Sequence, residues 1–302
     1  MKKQPTPLGP PSAARAADRV PSADAAQVRV SPARADATAS LPELRPGQPG
    51  FTFVERDYEV RLARTPDELV AAQRLRFEVF NTELGEGLAS SEATGLDADD
   101  FDAHCDHLLL ILRDSSGEPT GRVVGTYRLA TLAMAEAGNG LYCNGEYDLS
   151  QAPRAFLEQG IELGRACIAR EHRRGHALFA LFRGLARYLV DSNRRYLFGC
   201  CSLTGTDPRD GTLAAQWLEQ RDKNHPEFFV PARAGYHMDP VAVTADEVEV
   251  FRLPQLFGTY LRYGAAVCSA PAVDREFGTI DFLVLFDLEA FDVRLRKLFL
   301  EG

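Results

Sequence analysis

Gly160–Leu203 reads GIELGRACIAREHRRGHALFALFRGLARYLVDSNRRYLFGCCSL, and its three parts decide the architecture. Gly160–Ile168 is a short apolar-rich run bounded by turn residues, the pattern of a strand. Residues 176–190 place Leu178, Leu181, Leu185 and Leu189 along one side of a helix. Tyr196–Leu203 is apolar again and short, a second strand. The stretch is therefore one strand–turn–helix–strand unit. Its turn, residues 170–178, ends where a helix begins, so backbone N–H groups there lack intrahelical partners and lie at the positive end of the helix dipole. Gly175 lets a phosphate approach the backbone. Arg173, Arg174, Gly175, His176, Ala177 and Leu178 are accordingly the candidate phosphate site; the plain alternative is a tight connection with solvated arginines.

On the N-terminal side, His107–Arg113 is an apolar run, and a turn at 115–117 leads into a second run over Arg122–Ala130, the pattern of an antiparallel hairpin. Before it lies an acidic loop, residues 90–106. Thr65-Pro66-Asp67-Glu68 has the form of a capping box with Pro at the first helical position. The helix it opens is expected to reach Phe80, with Leu69, Ala72, Leu75 and Val79 on one face. Tyr58–Ala63 alternates as a half-buried strand. Residues 1–50, rich in Ala, Pro, Ser and Arg, are expected to be a disordered tail, because they cannot bury enough surface to offset ordering entropy. Residues 51–302 are the domain. Beyond the central unit, helices are expected over 212–222 and 254–263, and strands over 265–268 and 279–286. The fold class is mixed α/β.

With 45% hydrophobic and 25% charged residues, the 302-residue chain has the composition of a soluble globular protein. It shows neither a secretory signal nor an apolar run of membrane-spanning length, so a cytoplasmic protein, in peripheral membrane contact at most, is expected. Six cysteines without CxxC spacing fit a reducing compartment and no zinc knuckle. The run His104-Cys105-Asp106-His107 contains ligand types, but its spacing leading into a strand converges poorly and no metal is expected. A net charge of −9 argues against nucleic acid. Against that average, residues 165–195 hold eight arginines with only Glu171 and Asp191 opposing them. This island points to an anionic partner or, equally, to a solvated helix face.

The strand–turn–helix unit resembles the acyl-CoA-binding motif of the GNAT superfamily, Arg/Gln-x-x-Gly-x-Gly/Ala. Arg173-Arg174-Gly175-His176-Ala177 departs from it by one residue fewer between Arg and Gly. Two related branches are more similar: the acyl-homoserine-lactone synthases and the ornithine-lipid-forming N-acyltransferases. Arg76-Phe77-Glu78-Val79-Phe80, Asp99-Asp100-Phe101-Asp102, Gly125-Thr126-Tyr127-Arg128-Leu129 and Glu162-Leu163-Gly164-Arg165 resemble segments that both branches carry in this order. Phe101–Leu109, Arg183–Ala186, Tyr196–Leu203 and the stretch from Leu253 to Asp281 look like the ornithine branch. The resemblance covers about residues 58–290. It implies a mostly antiparallel GNAT-like sheet flanked by helices, no tightly bound cofactor, and transfer of a 3-hydroxyacyl chain from the phosphopantetheine arm of acyl carrier protein (or from acyl-CoA) to the α-amine of ornithine.

Such a transfer needs an amine that loses a proton, a stabilised oxyanion and a departing thiolate. Glu162 and Arg165 are the candidate catalytic pair, Glu162 as base directly or through water. Its structural alternative is a pairing with Arg165 or Arg128. Backbone N–H groups of 165–168 are the oxyanion candidates by analogy with the superfamily. Arg76, Asp99, Asp102 and Arg128 are the candidates for substrate positioning, or an ordinary salt-bridged loop. Acyl carrier proteins are acidic, which makes Arg183 and Arg187, one helical turn apart, the candidate docking pair. Acylation of another amine, simple acetyl-CoA use and non-catalytic carrier or lipid binding are the competing functions.

Overall fold

The computed structural model describes residues 48–173 and 176–300. In chain order its elements are β1 (Thr52–Glu55), β2 (Tyr58–Leu62), α1 (Pro66–Phe77), β3 (Asp106–Arg113), β4 (Pro119–Thr131), α2 (Leu132–Ala137), α3 (Arg154–Glu158), β5 (Gly160–Ile168), α4 (Ala177–Asp191), β6 (Tyr196–Thr204), α5 (Pro208–Glu219), α6 (Ala245–Val250), α7 (Gln255–Arg262), β7 (Ala266–Val267), β8 (Ala272–Asp274), β9 (Thr279–Asp287) and α8 (Val293–Phe299). The strands form one sheet in the order β1-β2-β3-β4-β5-β6-β9-β7, with β8 also paired to β9. Every pairing of these strands is antiparallel except β5 with β6.

That parallel pairing is short. It holds for Gly160, Ile161 and Glu162 against Tyr196, Leu197 and Phe198, and then stops. Just past it the two backbones touch: a Cβ added to Gly199 would lie 2.2 Å from the Leu163 carbonyl oxygen, so only glycine fits there. On its other edge β5 carries a bulge. Its register with β4 steps from Thr126↔Cys167 to Arg128↔Gly164, which leaves Arg165 and Ala166 without partners on β4. Arg165 adopts φ +50°, in the left-handed region. A bulge bends its strand and increases local twist. Here it coincides with the point at which β5 leaves β6, and a cleft opens between them.

α4 lies across β2, β3 and β4 and buries Leu181, Leu185 and Leu189, as the apolar spacing requires. Gly184 permits the close approach, since a Cβ there would meet Val60 at 2.8 Å and Leu108 at 2.9 Å. The opposite side of the sheet is covered by a second apolar cluster around Tyr147, Phe156, Phe198 and Leu283.

Several boundaries differ from expectation for identifiable reasons. α1 stops at Phe77 and continues as a wide π-helical turn, Glu78–Leu84, closed by Gly85 at φ +68°. Thr65 does cap α1, its Oγ1 accepting the Glu68 N–H at 3.3 Å. Glu68, however, is drawn to the Arg61 guanidinium at 2.6 Å and the Arg64 N–H at 2.7 Å, so the reciprocal half of the capping box is missing. α5 begins four residues before the expected Thr212, because Asp207 caps it through the Arg209 N–H and Pro208 occupies its first position. The short elements β1, β8, α2, α3, α6 and α8 were not foreseen. The expected tail falls, but for residues 48–50, outside the described residues.

Candidate active site

Arg76, in the last turn of α1, is almost completely buried, which only close ionic partners make tolerable. It donates to Asp97 (Nη2–Oδ1 2.6 Å) and to Asp102 (Nη1–Oδ1 2.9 Å). Arg128 of β4 donates to the same Asp102 oxygen at 3.0 Å and to Asp99 at 2.5 Å. The left-handed kink at Arg165 brings its side chain to Asp97 (3.2 Å) and Asp99 (3.0 Å). Gln73 completes Asp102 at 2.9 Å. Three arginines and three aspartates thus form one neutral lattice, in which the loop before β3 is tied to α1, β4 and β5.

The lattice fixes ionisation states. Burial opposes the charge on Asp102, but Arg76 and Arg128 override it and hold the carboxyl well below the usual carboxylate range. His107 touches the lattice through Nε2, 3.0 Å from the Asp102 carbonyl oxygen. Burial pushes its imidazole down to about 4, so it is neutral at physiological pH. Asp97 is the member that sequence reasoning missed. Its signal was present as the first acid of the run Asp97-Ala98-Asp99, where alternate residues can share one arginine.

Tyr142 connects this lattice to the cleft. Its ring lies 5.1 Å from the Arg165 guanidinium and 5.6 Å from that of Arg128, both within cation–π range. Glu162 holds the tyrosine in place. Its carboxylate accepts the N–H of Tyr142 at 2.9 Å and that of Cys143 at 2.7 Å. Burial pushes the Glu162 carboxyl up, against the opposing effect of those two N–H groups. The expected alternative, a direct pairing with Arg165 or Arg128, is replaced by this backbone anchor. Tyr142 was not among the expected site residues.

The cleft contains a cavity of about 410 Å³, walled by Gly164–Ile168 on one side and Cys200, Cys201 and Ser202 on the other. Arg128, Arg165, Tyr142 and Asp281 contribute its polar surface; Val79, Phe80, Phe257 and Tyr260 contribute apolar surface. The Nη2 atom of Arg128 is buried and has no hydrogen-bond partner. A smaller cavity of about 50 Å³ shares Gly164, Arg165 and Cys200 with the first. It in turn shares Leu163, Leu197 and Phe286 with a wholly apolar one of about 40 Å³, which also meets Phe182, Leu185 and Phe299. The three form a series from the cleft toward α8.

At the phosphate turn, Arg173 and Leu178 line the large cavity, Ala177 is buried and His176 is exposed. Arg174 and Gly175 lie outside the described residues. Arg173 is committed to Glu83 by two hydrogen bonds (2.5 and 2.8 Å) and to the Ile168 carbonyl (2.9 Å). The arginine island is largely neutralised. Arg165, Arg173, Arg183, Arg187 and Arg195 meet Asp97, Glu83, Glu55, Asp191 and Asp287 respectively. Of the expected docking pair, Arg183 also covers the Phe53 ring at 5.3 Å, and Arg187 bonds Asp191 one turn on. Both arginines have structural work within the chain.

The mixed sheet is parted between β5 and β6 near the start of α4, and residues 75–183 match the acetyltransferase (GNAT) domain family, so the chain is a GNAT acyltransferase. The L-ornithine N(alpha)-acyltransferase of Rhodobacter capsulatus is 38% identical over 246 residues, covering 80% of this chain and 94% of that protein. That of Brucella abortus is 33% identical over 245 residues, covering 78% and 86%. The chain belongs to the L-ornithine Nα-acyltransferase family. Among solved structures, FeeM, an N-acyl amino acid synthase from uncultured soil microbes, aligns with a TM-score of 0.45 at 13% identity over 80% of this chain and 94% of that one. The AHL synthase LasI aligns with a TM-score of 0.41 at 13% identity, covering 80% and 94%.

Proposed function

We propose that this enzyme transfers a long acyl group from a phosphopantetheine thioester to the α-amine of ornithine. The observation that carries this reading is the group of adjoining cavities: a large, mainly apolar chamber with arginines at the β5 bulge, next to apolar space lined by Leu163, Phe182, Leu185 and Phe286. An acetyl group has no use for that apolar space, whereas each methylene of a fatty chain buried there contributes about 0.8 kcal/mol. The thioester carbonyl lies at the bulge, where the N–H groups of Arg165 and Ala166, unpaired with β4, stabilise the oxyanion. The free Nη2 donor of Arg128 takes the α-carboxylate of the acceptor. The neutral α-amine attacks the carbonyl carbon to form a C–N bond, the C–S bond breaks, and the proton lost by the amine passes to the departing sulfur, which leaves as the thiol toward the start of α4. Glu162 is a positioning residue that holds Tyr142 between the two arginines. Acyl carrier protein is the proposed donor, with acyl-CoA as the source of the same arm.

The test is thiol release by the purified chain from 3-hydroxyacyl carrier protein and from the matching acyl-CoA, across a panel of amino acids, with mass spectrometry of the product. Ornithine-dependent release with an Nα-acyl-ornithine product upholds the proposal. Release with another amine and none with ornithine removes the substrate assignment.

A further inference from the structure

A second buried cluster of charge adjoins the cavity, and the transfer chemistry does not use it. Glu146, Asp274 and Asp281 each place a carboxylate oxygen within 4.8 Å of the others. Their exposures are 2%, 6% and 3%. Asp281 stands on the cavity wall. Its oxygens accept from Ser202 Oγ and from Thr279 Oγ1 (3.0 Å). Asp274 Oδ1 accepts the N–H groups of Glu276 and Phe277, both at 2.9 Å, and its Oδ2 meets only the Tyr142 hydroxyl at 3.4 Å. Glu146 follows the turn Tyr142–Gly145, and neither of its oxygens has a hydrogen-bond partner. Among the described residues no Lys, Arg or His forms an ion pair with any of the three.

An isolated buried carboxylate is strongly disfavoured, so the cluster takes either a proton or a cation from outside the chain. Burial, with Asp281 and Asp274 beside it, pushes the Glu146 carboxyl up to about 10, so the empty cluster keeps a proton there that an arriving cation displaces. Ca²⁺ takes six to eight oxygens, and Mg²⁺ an octahedral set. Both Asp281 oxygens and Asp274 Oδ1 are already occupied by protein donors, Asp274 Oδ2 has only the long contact from the Tyr142 hydroxyl, and the two Glu146 oxygens have none. Acceptors on two sides suit the several N–H donors of an alkylammonium group. Tyr142 supplies the spatial link, its ring against the Arg128 and Arg165 guanidiniums and its hydroxyl at Asp274. An amino acid lying along it presents its carboxylate to the arginines and its side-chain terminus to the carboxylates.

We propose that Glu146, Asp274 and Asp281 form the subsite that binds the side-chain ammonium of the acceptor amino acid. The proposal rests on ornithine as acceptor. It explains why acylation falls on the α-amine: the terminal amine, held by carboxylates, stays protonated and cannot attack, while the α-amine is free to lose its proton.

The experiment compares kcat/KM for ornithine and for 2-aminopentanoic acid, the same amino acid without its terminal amine, in the wild-type chain, Glu146→Gln and Asp274→Asn. The ratio of the two substrates cancels any loss of folded enzyme. Each variant is expected to lower the ornithine preference by about tenfold or more, the effect of losing one charged hydrogen bond. Equal ratios in wild type and both variants overturn the subsite even if ornithine is acylated. So does Ca²⁺ or Mn²⁺ bound by the wild type, lost in Glu146→Gln and undisplaced by ornithine. Calorimetry without an acyl donor separates this proposal from the transfer reading. Ornithine binding that disappears in Glu146→Gln upholds the subsite even where no transfer to any amine is detected.

Discussion

The cavity is flanked by two buried charge clusters of opposite design. In the Arg76–Asp97–Asp99–Asp102–Arg128–Arg165 lattice every charged residue has an ionic partner inside the chain. In the Glu146–Asp274–Asp281 cluster three acids meet no base among the described residues, and one of them has no hydrogen bond. A completed lattice sets the shape of a site, whereas an incomplete one declares what the site is for. Tyr142, clamped by Glu162, is the side chain that touches both.

Stability measurements break this comparison most directly. Arg76→Met removes one of the two arginine partners of Asp97 and of Asp102, leaves the buried lattice one negative charge in excess, and is expected to cost about 3–5 kcal/mol in chemical denaturation. Glu146→Gln replaces a carboxyl that has no ionic partner among the described residues and that burial already pushes up to about 10, so it should leave the denaturation midpoint unchanged or higher. A large loss in the second variant would mean that the acids are structural after all. Next in size is Glu162→Gln. The amide NH₂ would face an N–H of the Tyr142 turn, so kcat/KM for ornithine should fall about tenfold or more. If Glu162 is the anchor, the acidic limb of the pH–rate profile stays where it is. If that limb vanishes, Glu162 is a general base. The smallest effect is expected from Arg187→Glu. It breaks an exposed i,i+4 pair worth about 0.3–0.5 kcal/mol, and with Arg165, Arg173, Arg183 and Arg195 paired within the chain, KM for the acyl carrier protein should move less than about threefold. A tenfold rise at low salt would restore the docking role that the spacing of Arg183 and Arg187 suggested.

Much of the first cluster was legible. Arg76, Asp99, Asp102, Arg128 and Arg165 stood in short spaced motifs, and the elements carrying them were readable from apolar periodicity. Sequence could not show that five candidates with separate roles are one lattice, since that depends on the β5 bulge and the left-handed Arg165. The second cluster was not foreseen. Glu146 comes from a turn, Asp274 from the three-residue strand β8 and Asp281 from β9, and only the pairing of β8 with β9 unites the last two. One signal was available. Asp281 interrupts the otherwise apolar run Ile280–Phe286, and a lone acid in a buried strand asks for a partner.

The brevity of the β5–β6 pairing has a mechanical side. The sheet is in effect two plates, β1 to β5 and β6 to β9, riveted along this line by three backbone rungs. On the proposed function, a donor seated between the plates would touch both and become part of what joins them, so that loading the enzyme would also stiffen its sheet.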